Sequence, residues 1–177
     1  MPTLFERMLR AAKREEHLYE EVEADASLTR EAAIVIVIVA LASGIGAINQ
    51  GLSGLLWGLV FALAGWALWA WIIYFVGTRF LPQPQTHADW GQVARGTGFA
   101  QSVGVLHILA FIPVLGWLVS FAAWIWQIVC MVTAVRQALD YDSTGRAVLV
   151  VLIGFIPYFL LNFIVLGLLL GGLRAAV

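Results

Sequence analysis

Residues 96–135 read GTGFAQSVGVLHILAFIPVLGWLVSFAAWIWQIVCMVTAV, forty residues without one Asp, Glu, Lys or Arg. As an unbroken α-helix this stretch would be roughly 60 Å long, about twice the ~30 Å apolar thickness of a bilayer. Pro113 and Gly116 lie near its middle. The simplest reading is two membrane-spanning helices, 98–112 and 117–135, joined by a hairpin at 113–116.

Three further apolar runs have spanning length: 32–48, 55–76 and 147–173. The first opens with the β-branched run Ile34 to Val39, which length assigns to helix rather than strand. Glu31 suits its first turn, and Ser27 or Thr29 its cap. Asn49, Gln50 and Gly51 form a tight turn. Gly58, Ala62 and Gly65 give the second span a close-packing side. Pro82 and Pro84 keep residues 77–85 in a loop. Thr86 with Asp89 resembles a capping box that starts the helix leading into the third span. Asp142 or Ser143 caps the last helix, and Pro157 kinks it; Gly167, Gly171 and Gly172 give close-contact positions.

The fold class is therefore all-α: a polytopic membrane protein of five transmembrane helices, spanning residues 31–177. Residues 1–30 form a charged segment before it. Leu4, Phe5, Met8, Leu9, Ala12, Leu18, Tyr19 and Val22 recur at helical spacing over 3–25, with no Gly or Pro between. This predicts one amphipathic helix lying on the membrane surface or on the inner loops. The plainer alternative is a solvated helix packing only on its own protein. Phe5, Met8, Leu9 and Trp90 are the expected lipid or partner surface.

Composition agrees: 62% of the 177 residues are apolar and 12% charged, against roughly a quarter charged in soluble domains. A net charge of −1 gives no field to attract nucleic acid. The single cysteine, Cys130, allows no intrachain disulfide. The first thirty residues lack the apolar core of a signal peptide, so insertion is expected to depend on the first span. With five alternating spans, nine of the ten Lys and Arg fall on one side. The positive-inside rule puts that side, with the amino terminus, in the cytoplasm and the carboxyl terminus outside.

The residues carry a resemblance. Arg95-Gly96-Thr97-Gly98-Phe99-Ala100, Ile112-Pro113-Val114-Leu115-Gly116, Trp124-Ile125-Trp126, Val135-Arg136-Gln137-Ala138-Leu139-Asp140 and Thr144-Gly145-Arg146-Ala147 look like the YIP domain (Ypt-interacting protein) family. The likeness covers roughly 32–173. It implies five spans, a cytosolic amino-terminal region and a short tail outside. The opening segment, ending Glu20-Glu21-Val22-Glu23-Ala24-Asp25, is similar to bacterial members. The chain departs from the family in two places. The Asp-Leu-Tyr-Gly-Pro motif of eukaryotic members is absent, and Gln101, Ser102 and Val103 stand where a proline often follows. Eukaryotic members are associated with Rab GTPases and with shaping secretory membranes. For this chain the resemblance implies an integral protein of a bacterial inner membrane that organises lipid or other membrane proteins, with self-association expected.

The candidates for chemistry are few. His107 is the ionisable residue well inside a span, and Gln101, Gln127 and Asn162 are the strong polar groups there. Asn162 shares a helix face with Tyr158 and Gly154, expected to look into the bundle. These five, His107, Gln101, Gln127, Tyr158 and Asn162, read either as interhelical hydrogen bonding or as a polar path. One histidine makes no metal site. Asp140 and Asp142 read as solvated capping residues rather than a cation site, and Trp66, Trp69, Trp71, Trp124 and Trp126 as packing bulk rather than the lining of a pigment or quinone site. No cofactor is implied. No nucleophile–base pair, phosphate loop or catalytic carboxylate pair is present, so the sequence points away from an enzyme. The expected role is a membrane scaffold or accessory subunit. The alternatives are an oligomeric transporter or channel with a path near His107, Gln127 and Asn162, and an accessory subunit of a respiratory or photosynthetic complex.

Overall fold

The computed structural model of the protein describes residues 2–46 and 51–175, with side chains over 2–45 and 56–164. Every regular element among these residues is helical. Seven α-helices follow in order: α1 (Leu4–Ala12), α2 (Glu16–Ala24), α3 (Thr29–Gly46), α4 (Gly51–Phe75), α5 (Trp90–Ala100), α6 (Leu115–Ala138) and α7 (Thr144–Ala175). A short 3-10 turn, Ala26–Leu28, precedes α3, and a π-turn, Val76–Phe80, extends α4. The expected turn at Asn49 and Gln50 lies outside the described residues, as do the side chains around Gly167, Gly171 and Gly172.

The opening segment is two helices, not one. At the end of α1 the Glu15 N–H donates to the Arg10 carbonyl at 3.1 Å and the Arg14 N–H to that of Ala11 at 3.0 Å. This pair of bonds usually forms around a left-handed glycine. Here Arg14 takes the position, with φ 62°. With no glycine to mark it, the break leaves the apolar spacing nearly in phase, and the periodicity reads through it. Tertiary contacts fix the reversal. Arg14 Nε donates to Thr133 Oγ1 at 3.2 Å, its guanidinium lies 6.0 Å from the Trp126 ring centroid, and Trp126 Nε1 donates to the Ala12 carbonyl at 2.8 Å.

Four helical segments are long and apolar enough to cross a membrane: Ala26–Ile45, Leu56–Phe80, Leu115–Ala138 and Thr144–Ile164. The expected third span, 98–112, has a different backbone. After Ala100, α5 tightens into an eleven-residue 3-10 helix, Gln101–Phe111. Such runs rarely exceed three or four residues. This one packs most heavily against α3 and α6. Its small residues allow the close approach: a Cβ on Gly104 would stand 2.5 Å from Val39 Cγ1.

Helix ends show further departures. Asp89, not Thr86, starts α5: its side chain accepts from the Gln92 N–H at 2.8 Å, and Gln92 Oε1 accepts the Asp89 N–H at 2.6 Å. Thr86 instead donates to the Leu139 carbonyl at 2.9 Å. Asp25 caps the turn before α3 through the Ser27 N–H at 2.9 Å. α6 begins at Leu115, two residues before the expected Trp117. Pro157 lies inside α7, which runs on to Ala175.

Packing is uneven along the bundle. The fully buried side chains Leu18, Tyr19, Val22, Val93, Phe99, Val135, Leu139 and Val150 come from α2, α5, the charged end of α6 and the start of α7; α2 and α5 pack on each other and on α6, and α6 packs on α7. Residues 1–30 thus share one core with the bundle. Elsewhere large apolar groups face outward, as lipid-facing surfaces do; Trp117 is 72% exposed and Phe163 78%.

Candidate functional site

Two places gather the polar chemistry: the seat of the amino-terminal helices and a cavity inside the bundle.

The seat is organised by Arg95, which is buried. Its Nε donates to the Val22 carbonyl at 2.7 Å, its second terminal nitrogen to the Glu23 carbonyl, and its first to Thr29 Oγ1 at 3.3 Å. Val22 and Glu23 belong to the last turn of α2, where carbonyls lack helical partners and the dipole is negative. A guanidinium offers a rigid fork of donors suited to that end. Gln92 Nε2 adds a bond to Glu23 Oε1 at 3.3 Å. Burial, together with the nearby Asp140 carboxylate, pushes the Glu23 carboxyl up to about 7; Arg95 opposes this, while Glu20 and Asp89 add to it. On the other flank Arg7, also buried, grips both Glu31 oxygens at 3.1 and 2.8 Å. Arg136 reaches Glu16 at 3.1 Å. Tyr19 donates to the Ala11 carbonyl at 3.0 Å, and burial drives its phenol pKa well above the usual range.

Of the expected surface residues, Phe5 and Leu9 are exposed, Met8 is buried and Trp90 is 39% exposed. Trp90 Nε1 donates to the Ala67 carbonyl at 3.3 Å.

The cavity has a volume of about 510 Å³ and lies among α3, α4, the 3-10 helix, α6 and α7. Trp66, Trp69, Trp124, Phe155 and Tyr158 contribute to its walls. Two of the expected polar residues meet there: Gln127 Nε2 donates to Gln101 Oε1 at 2.7 Å. Tyr158 joins them in the lining. His107 and Asn162 do not. His107 Nδ1 lies 2.8 Å from the Gly104 carbonyl of its own helix. Asn162 is exposed, and its Nδ2 donates to the Tyr158 carbonyl of its own helix at 2.8 Å. The face shared with Gly154 and Tyr158 therefore packs inward at its start and emerges by Asn162. The five residues form no continuous polar path.

Asp142 accepts from Gln85 Nε2 at 2.7 Å, and Asp140 holds the left-handed end of α6 at φ 52°. Among the described residues no group of three or more His, Cys, Asp or Glu is placed to hold a metal.

A family model, the Yip1 domain, matches residues 16–169. The chain belongs to the Yip1 domain family. No curated protein matches it, and no solved structure does. It is an integral membrane protein of that family, with apolar helices in contact with lipid. The motif stretch at 95–100 now has a physical account. Arg95 clamps α2, a Cβ on Gly96 would lie 3.6 Å from Ala134 Cβ, and one on Gly98 would lie 2.9 Å from Ala32 Cβ. Arg95 was not among the expected site residues; its place immediately before the uncharged run 96–135 is the one signal of it in the sequence.

Proposed function

We propose that this Yip1-family protein is a non-enzymatic membrane organiser whose amino-terminal helices act at the inner leaflet. Five crossings underlie the reading, the third made by α5 with its 3-10 extension, together roughly 38 Å long. With five crossings nine of the ten Lys and Arg fall on one side, which the positive-inside rule assigns to the cytoplasm.

One observation carries the proposal. The end of α1 is bonded to Trp126, which stands twelve residues before the end of α6, roughly 18 Å along it. This contact supports a seat for α1 against the cytoplasmic half of α6, within one leaflet, with Met8 and Ala11 packed inward. Phe5, 72% exposed, and Leu9, 46% exposed, are one turn apart and face outward. A short amphipathic helix seated this way occupies the headgroup–acyl boundary of one leaflet only. Wedging one leaflet bends a membrane, and the same apolar pair offers a contact for another membrane protein.

The double variant Phe5→Ser/Leu9→Ser tests this in vesicles of phosphatidylethanolamine and phosphatidylglycerol. The wild type is expected to change vesicle diameter with protein density. The variant should insert and melt like wild type yet leave diameter unchanged. Equal remodelling by both proteins overturns the proposal.

A further inference from the structure

We propose that the bundle cavity is a binding site for a membrane-soluble molecule of the quinone class, a flat conjugated ring bearing carbonyl or hydroxyl groups on an apolar tail. The inference is independent of the leaflet role of α1.

Size and place suit such a ligand. About 510 Å³ lies within the ~300–1,000 Å³ of ordinary small-molecule sites. The lining comes from helices that cross the apolar layer, so a ligand arrives from lipid.

The chemistry of the walls is apolar and uncharged. Among the described residues no Asp, Glu, Lys, Arg or His lines the cavity. An ion or a charged metabolite would be desolvated there without compensation. Trp66 Nε1 donates to the Ala94 carbonyl at 2.9 Å, and Trp69 Nε1 to Met131 Sδ at 3.3 Å. Trp69 also packs against Phe155, tilted at 43° with centroids 4.8 Å apart, and edge-on to Tyr158 at 5.3 Å. The two indoles are therefore held in place with their N–H groups already used. What they offer a ligand is π surface, the complement of a flat conjugated ring.

The carboxamide pair supplies polar recognition. Gln127 Nε2 donates to Gln101 Oε1 at 2.7 Å and to the Gln101 backbone carbonyl at 3.4 Å, and no other hydrogen bond engages either carboxamide among the described residues. The Gln101 amide N–H groups and the Gln127 amide oxygen are left over. The first donates to a ring carbonyl; the second accepts from a ring hydroxyl. The pair thus matches both the oxidised and the reduced form of such a ring. An acyl chain would fill the space but leave both amide groups unpaired at a cost.

The test uses the full chain in nanodiscs and a benzoquinone with a decyl tail as probe. Tryptophan fluorescence reads occupancy, because Trp66, Trp69 and Trp124 line the site. Saturable quenching is expected in wild type. Gln101→Leu/Gln127→Leu should weaken it by about tenfold or more, the loss of roughly one or two net hydrogen bonds. Ala62→Phe, which places a bulky ring from α4 in the cavity, should abolish saturation, and should also abolish any rise in melting temperature given by the probe. His107→Ala should leave the titration unchanged. Linear quenching, identical in wild type and Ala62→Phe, would show partition into lipid alone and overturn the proposal. Full displacement of the probe by a brominated-chain phospholipid that itself quenches saturably would assign the cavity to acyl chains and overturn it equally.

Discussion

Arg95 decides how the amino-terminal helices meet the bundle. Its three acceptors are two carbonyls of the last turn of α2 and a threonine hydroxyl. Hydrogen bonds from a charged donor contribute roughly 1.5–3 kcal/mol, and buried acceptors left without partners cost more still. Arg95→Met is expected to destabilise the protein by about 3 kcal/mol and to open the Arg10–Arg14 stretch to trypsin. Unchanged digestion would contradict the clamp. Glu23 lies in the same seat and gives a pH signature. Its carboxyl is raised to about 7 from an ordinary 4.5, so the folded protein holds that proton where the unfolded chain has lost it. Its contribution to stability is complete below about 4.5, falls as pH rises through the interval, and is gone above about 7. Glu23→Gln should therefore gain stability relative to wild type at pH 8 and much less at pH 4. Paired melting curves at the two pH values check this, and a gain that is larger at pH 4 refutes it.

Elements in this bundle are shaped by close backbone approach. At the hairpin the Leu115 N–H donates to the Pro113 carbonyl at 2.7 Å across Val114, whose φ is 63°. This is a γ-turn centred on a β-branched residue, a strained choice. The Gly116 N–H returns to the Ile112 carbonyl at 2.7 Å. A Cβ on Gly116 would stand 2.5 Å from the Ala110 carbonyl oxygen and 2.7 Å from that of Leu109. Backbone cannot retreat as a side chain can. Gly116→Ala should cost about 2–3 kcal/mol, within the usual range for strain and overpacking, seen as a lower melting temperature in mild detergent. Gly104 plays the matching part in the 3-10 helix, since a Cβ there would stand 2.6 Å from Gln127 Nε2. Gly104→Ala is expected to push that carboxamide off Gln101 and weaken quinone-probe quenching along with stability.

The whole molecule is a cap and a bundle folded on one core. Cutting away residues 1–25 would strip partners from Arg95 and Trp126 and uncover Val93 and Val135. The truncated chain should melt well below wild type and aggregate on size exclusion. A truncated bundle that is monodisperse and melts like wild type would mean the cap only rests on the surface. For this reason the exposed pair Phe5 and Leu9, rather than the whole segment, is the place to separate function from folding.

Membership of a helical membrane family was legible in the sequence, because a bilayer forces long uncharged runs into helices that satisfy their own backbones. The hairpin at Pro113 and Gly116 was legible for the same reason: forty residues without Asp, Glu, Lys or Arg overshoot one crossing. The break at Arg14, the 3-10 backbone after Ala100 and the burial of Arg95 were not. Each depends on which neighbour lies alongside: Thr133 and Trp126 for the first, α3 and α6 for the second, the open end of α2 for the third. His107, Gln101, Gln127, Tyr158 and Asn162 stand out by residue type, but only packing sorted them. Two glutamines meet across adjacent helices with Tyr158 beside them in the cavity wall, while His107 and Asn162 bond within their own turns. Local periodicity sets which face is apolar; tertiary contact sets what that face touches.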